Sequence, residues 1–120
     1  MSETLILSIA RQWFDAFNEQ NLEKLLALYD ENARHYSPKL KLRSPETKGL
    51  IAGKDALRSW WKDSFDRLPS LKYTPQQFIA DDSGVFMEYL RTVEGEEVMR
   101  VGEVLEIKEG LIVASRVYHG

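Results

Sequence analysis

The chain has 120 residues, 43% of them hydrophobic and 29% charged, and a formal net charge of −3 with a pI near 5.4. That length accommodates one globular domain, 1–120, and interspersed acids and bases argue against nucleic acid or an anionic membrane as partner. The lack of cysteine excludes disulfides and thiolate chemistry, and with no basic-then-apolar leader and no apolar run approaching about 18 residues, a cytoplasmic location is expected.

Ile6, Ile9, Trp13 and Phe17 recur at helical spacing behind the capping residue Ser2, and predict a first helix ending near Asn18. After Glu19-Gln20, Asn21 can cap a short second helix with Leu22, Leu25, Leu26 and Tyr29 on its apolar face. Ala33 to Leu42 is strand-like, and Ser37-Pro38 restricts any pairing there to a sheet edge. Lys39 to Ala52 is basic, contains Pro45 and Gly49, and reads as a long loop or irregular hairpin of the kind that closes over pockets. A third helix starts at Gly53-Lys54-Asp55, spaces Leu57, Trp60, Trp61, Phe65 and Leu68 by threes and fours, and closes before Pro69.

From Leu71 onward four runs read as strands, 71–80, 85–93, 98–107 and 111–118. The turns between them, Asp81-Asp82-Ser83-Gly84, Glu94-Gly95-Glu96 and Glu109-Gly110, imply an antiparallel meander. Three helices followed by such a meander make an α+β layout in which a curved sheet wraps helices on one face.

Within the third strand Glu103 falls where alternation calls for a hydrophobe, because Met99, Val101, Leu105 and Ile107 share its phase. A carboxylate there is either buried, and then paired, hydrogen-bonded or kept neutral, or its stem packs at a sheet edge while its head reaches water.

The paired opening helices with Trp13 and Tyr29, the Gly53-Lys54-Asp55-Ala56-Leu57 helix start, and the run from Glu109-Gly110-Leu111-Ile112-Val113 to Tyr118-His119 resemble the NTF2-like superfamily. Within it, the chain is most similar to the SnoaL-like polyketide cyclase and ketosteroid isomerase branch. That resemblance implies an NTF2-like cone: three N-terminal helices packed in a strongly curved, mostly antiparallel mixed sheet that encloses an apolar cavity, usually in a homodimer. It does not fix the chemistry, since the superfamily holds isomerases, cyclases, dehydratases and non-enzymatic binders. Ketosteroid isomerase combines a carboxylate base with an oxyanion hole of a tyrosine and a protonated aspartate. By the resemblance, Glu103 falls at the protonated acid, Trp13 at or beside the tyrosine, and Ser37 at the base. An indole donates without shuttling a proton, and a serine does not replace a carboxylate base. The acid-base aspartate of SnoaL cyclases corresponds to Val117.

Other polar residues then become the candidates. With Glu103 inside, the matching phase of the last strand is Leu111, Val113, Ser115, Val117 and His119. The resemblance places Phe86, Glu88, Leu90 and Thr92 inside from the preceding strand. Glu88, Glu103 and His119 would then share one space, the carboxylates holding a proton and the imidazole exchanging it. The competing reading puts Glu88 on a solvated face, because Val85, Met87 and Tyr89 are equally apolar. His35 borders the cavity mouth by the resemblance and is either a second pocket imidazole or a packing residue. No His, Cys or carboxylate spacing suggests a metal, and no cofactor is expected.

Trp13, Phe17, Tyr29, Trp60, Trp61 and Phe86 supply area for the core and for a pocket holding a small apolar or cyclic ligand, with Ser37, Val101, Ser115 and Val117 beside them. Adjacent on one helix, Trp60 and Trp61 diverge, one toward the core and the other toward the cavity. Arg91, Arg100 and Arg116 are expected in the phase opposite Glu103 with Tyr89, Val104, Ala114 and Tyr118, a composition suited to a sheet-to-sheet homodimer. Two functions follow: a cofactor-independent acid-base enzyme (isomerase, cyclase or dehydratase), or a non-catalytic binder of a ligand or partner.

Overall fold

The computed structural model describes residues 2–119. Helix α1, Glu3–Glu19, is capped by Ser2, whose hydroxyl accepts from the Leu5 amide at 3.2 Å, and ends at Gln20 in the left-handed region. Its buried stripe of Ile6, Ile9, Ala10, Trp13, Phe14 and Phe17 follows the sequence period. Helix α2, Leu22–Leu26, is capped by Asn21. Strand β1 runs Tyr29–Tyr36, so Tyr29 opens a strand instead of closing α2.

The segment 39–52 is not a loop. Pro38–Arg43 forms helix α3, with Ser37 as its cap and Pro38 at its first position, where the missing N–H is harmless. A 3₁₀ turn follows at Pro45–Thr47, and β2, Leu50–Ala52, pairs with β1. Among the described residues there are therefore four α-helices, the last being α4, Lys54–Arg67, which buries Leu57, Trp61 and Phe65 at spacings of four.

The meander is present as β3, Lys72–Ala80; β4, Gly84–Thr92; β5, Met99–Lys108; and β6, Leu111–His119. The six strands form one curved, open sheet in the order β2-β1-β6-β5-β4-β3, antiparallel except where β1 runs parallel to β6. Short β2 forms one edge. Bulged β3, interrupted at Pro75, forms the other, where an absent N–H disturbs no ladder. The β5–β6 turn is two residues, Glu109 and Gly110, both at positive φ, the twist that tight hairpins require. The core lies between the concave face of the sheet and α1 and α4, with Trp13, Tyr29, Tyr89, Leu57 and Leu105 almost inaccessible.

Register fixes which side chains face this core. Met87 pairs with Glu103 and Tyr89 with Val101, and directly paired residues project to the same side. The inward phase of β4 is therefore Val85, Met87, Tyr89 and Arg91. Phe86 and Glu88 lie outside: Phe86 is 37% exposed, and Glu88 takes a 3.2 Å contact from Arg100 on the convex face. The family-derived phase for β4 is thus corrected, and Tyr89 and Arg91 move from the outer face to the inner one. Gly102 allows the Phe86 ring to lie flat across β5, since a Cβ there would meet ring carbons at 3.0 Å.

Candidate functional site

Glu103 is 2% exposed at the centre of the concave face. Its Oε1 accepts a 2.8 Å hydrogen bond from the Tyr89 hydroxyl on the neighbouring strand. Oε2 has no partner among the described residues. Burial raises the pKa of this carboxyl to about 8, the Tyr89 bond only partly opposing the rise. At neutral pH Glu103 is therefore mostly the neutral acid, with an O–H to donate from Oε2. Burial, followed by the Glu103 charge, likewise pushes the Tyr89 and Tyr73 hydroxyls up, so both stay protonated.

A second polar chain runs behind β1. The Trp13 indole N–H donates to the Tyr29 hydroxyl at 3.2 Å, Tyr29 donates to Ser115 Oγ at 3.1 Å, and Ser115 Oγ lies 2.6 Å from His35 Nδ1. Each hydroxyl has a single proton. Since Tyr29 uses its own on Ser115, the arrangement that leaves no hydroxyl proton orphaned has Ser115 donating to His35 Nδ1. The His35 proton then sits on Nε2. Burial drops the His35 pKa to about 4, so the ring is a neutral donor.

These groups meet a pocket of about 80 Å³. His35 contributes from β1, Val117 and His119 from β6, Val101 and Glu103 from β5, Tyr89 and Arg91 from β4, and Tyr73 from β3. The Asn18 side chain holds Tyr73 in place, accepting from its amide at 2.8 Å and donating to its carbonyl at 2.9 Å. Helices supply Phe17, Trp60, Trp61, Ser64 and Leu68, and Ser37, Lys39 and Leu71 complete the wall. Trp60 and Trp61 both line it, although only Trp61 is fully buried.

Of the candidates from sequence, His35, Glu103, His119, Phe17, Ser37, Trp60, Trp61, Val101 and Val117 meet at this pocket, whereas Glu88 and Phe86 do not. Trp13, Tyr29 and Ser115 stand behind the wall, where they orient His35. Tyr73 and Lys39 join the pocket without a sequence signal, and Tyr89 and Arg91, expected on the outer face, line it as well. One signal was available: Gly95, at positive φ in the β4–β5 turn, lies midway between Met87 and Glu103 in the chain, so centring the hairpin on it reveals their pairing.

His119 is an exposed residue at the rim. Burial first, then the Lys39 and Arg91 charges, holds its pKa below the usual imidazole value. Because His119 pairs with Val101 and Glu103 with Val117, His119 and Glu103 are diagonal neighbours, with Cα atoms about 7–8 Å apart in such a geometry. A neutral hydrogen-bond donor on β5 and an imidazole on β6 thus line the same pocket.

The profile of the SnoaL-like domain matches residues 10–115. No curated protein sequence shows significant similarity to this chain. Among solved structures, a SnoaL-like protein of unknown function from Burkholderia thailandensis superposes with a TM-score of 0.88 at 19% identity, covering 100% of this chain and 98% of its own. A Kribbella flavida protein provisionally named a ketosteroid isomerase gives 0.81 at 21% identity, covering 98% and 79%. A Sinorhizobium meliloti protein provisionally named a polyketide cyclase gives 0.79 at 14% identity, covering 98% and 100%.

Proposed function

The chain belongs to the SnoaL-like domain family, and from that membership we propose that its concave pocket takes a small carbonyl compound and performs cofactor-independent acid-base chemistry, of isomerase, cyclase or dehydratase type. The observation that carries this reading is the Glu103 carboxyl, buried, bonded through Oε1 to Tyr89, and presenting an unpartnered Oε2. A neutral acid donating to a carbonyl oxygen stabilises the negative charge that develops there when a neighbouring C–H proton leaves. His119, uncharged at neutral pH, takes that proton; the C–H electron pair moves toward the carbonyl carbon, and charge collects on the oxygen held by Glu103. The His35 Nε2–H supplies a further neutral donor to the pocket.

A second reading, a non-catalytic ligand binder, draws support from Ser37. The position that carries a base in ketosteroid isomerase is here a helix cap, its hydroxyl accepting from the Leu40 amide at 3.3 Å. As the partner we propose a second copy of the chain, packed through the convex sheet face where Ile79, Phe86 and Tyr118 are 59%, 37% and 54% exposed. Sedimentation equilibrium tests this: a protein monomeric at micromolar concentration contradicts it.

The decisive experiment for chemistry is α-proton exchange. Small cyclic ketones are incubated in D₂O and followed by NMR with wild type, Glu103→Gln and His119→Ala. Exchange by wild type that falls at least about 100-fold in each variant fits the acid-base reading. Cyclic ketones, neutral or carrying a carboxylate, that bind without exchange favour the binder, and a pocket that binds neither kind overturns both.

A further inference from the structure

Arg91 is the most unusual side chain in the pocket wall. Its guanidinium side chain is 6% exposed, yet among the described residues its ion-pair partner is the surface residue Glu96, reached by Nη1 at 2.9 Å. Nε and Nη2 have no protein partner among the described residues. A guanidinium cannot relieve its burial by losing a proton, and its planar fork matches the two oxygens of a carboxylate. Arg91 does not serve the buried acid either, because Glu103 is bonded to Tyr89 and shifted toward its neutral form.

Arg91 also stands at a junction. An outer bay of about 350 Å³ shares Arg91, Lys39, Trp60, Ser64 and Leu68 with the inner pocket. The bay adds Arg43, stacked over Trp60 with its guanidinium carbon 5.3 Å from the ring, and Arg67, which donates to Asp63 at 2.8 Å. Among the described residues, Glu96 is the only acid on that lining. A protein of net charge −3 thus concentrates cations around the mouth of its pocket.

We infer that the ligand is an organic acid, its carboxylate held in the fork of Arg91 beside Lys39 and its carbonyl reaching inward to Glu103, with Trp60 and Leu68 flanking the body between. This rests on the reading of the pocket as a carbonyl-binding site and adds the charge of the ligand. Steering by Lys39, Arg43 and Arg67 would gather such anions from solution, and the Arg91 fork would orient them.

The test compares oxocyclohexanecarboxylate with its methyl ester and with cyclohexanone, using calorimetry and the Arg91 Nε–H NMR signal. The acid is expected to bind at least tenfold tighter than the ester and to shift the Arg91 signal downfield. In Arg91→Gln the two should bind alike, and Arg91→Lys should recover part of the difference. The wild-type NMR signal keeps the test open if the variants do not fold. Equal binding of acid and ester by wild type, with the Arg91 signal unmoved, overturns the inference while leaving the carbonyl site standing. Failure of all three probes to bind overturns both.

Discussion

The Tyr89 hydroxyl donates to Glu103 Oε1 at 2.8 Å across the β4–β5 pair, leaving Oε2 free. One hydrogen bond does not balance the burial of a carboxylate, so proton retention does the rest. Replacing Tyr89 with Phe should raise the Glu103 pKa further, since the hydroxyl favours the charged form. It should also cost about 1 kcal/mol of stability. Carboxyl NMR and urea unfolding measure the two effects; an unchanged or lower pKa would show that Tyr89 does not act on the charge.

Glu103 makes stability depend on pH. Its folded pKa, about 8, lies above the unfolded value of 4.5, so the folded state holds the extra proton between these limits. Its contribution is greatest below pH 4.5 and is lost as pH rises to about 8, at a rate approaching 1.4 kcal/mol per unit, roughly the value of one pKa unit. Glu103→Gln cannot titrate. Its stability should therefore gain on that of wild type across this window, and a constant difference in chemical denaturation would show that Glu103 does not hold the proton.

His35 acts at the acid end. Its folded pKa of about 4 lies below the reference value of 6.5, so the unfolded chain takes the proton first as pH falls. The His35 contribution is full above pH 6.5 and declines toward pH 4. His35→Gln should flatten that limb of the stability curve. An equally steep acid limb in the variant would assign it to other groups.

Ser115→Ala breaks the chain from Trp13 to His35. It strands the Tyr29 hydroxyl proton and frees Nδ1, at about 1–3 kcal/mol for each orphaned group. Nitrogen NMR of the imidazole should show the Nε2–H tautomer in wild type and a mixture in the variant. The same tautomer in both would mean that Ser115 does not set it.

The convex face gives the contrast. Glu88 meets Arg100 at 3.2 Å with side chains 33% and 58% exposed. Glu88→Gln should change stability by less than about 1 kcal/mol and leave ligand binding intact. A large loss of binding would return Glu88 to the pocket.

The helices were legible where one period dominates, as in the Ile6 to Phe17 stripe of α1 and the Leu57, Trp61, Phe65 series of α4. Glu103 was legible as a polar residue in an apolar phase. Tyr29 was not, because its spacing from Leu22 and Leu25 suits a helix, whereas its hydroxyl bonds to a serine 86 residues away. The two phases of β4 are both apolar, so only pairing with β5 decides between them. Arg91 falls on the outer face in the sequence pattern for a related reason. Composition places arginine on the surface, and its burial follows from the register of Tyr89 and Val101, a long-range fact that local pattern does not carry.

Everything proposed for the pocket depends on Glu103 being neutral at neutral pH. Carbon NMR of the selectively labelled Glu103 carboxyl, titrated from pH 4 to pH 10 in the folded protein, tests it most directly. The structure predicts a midpoint near 8, with the acid form persisting at pH 7. A midpoint near the ordinary value of 4.5 would contradict it, leaving a charged carboxylate that cannot donate to a carbonyl.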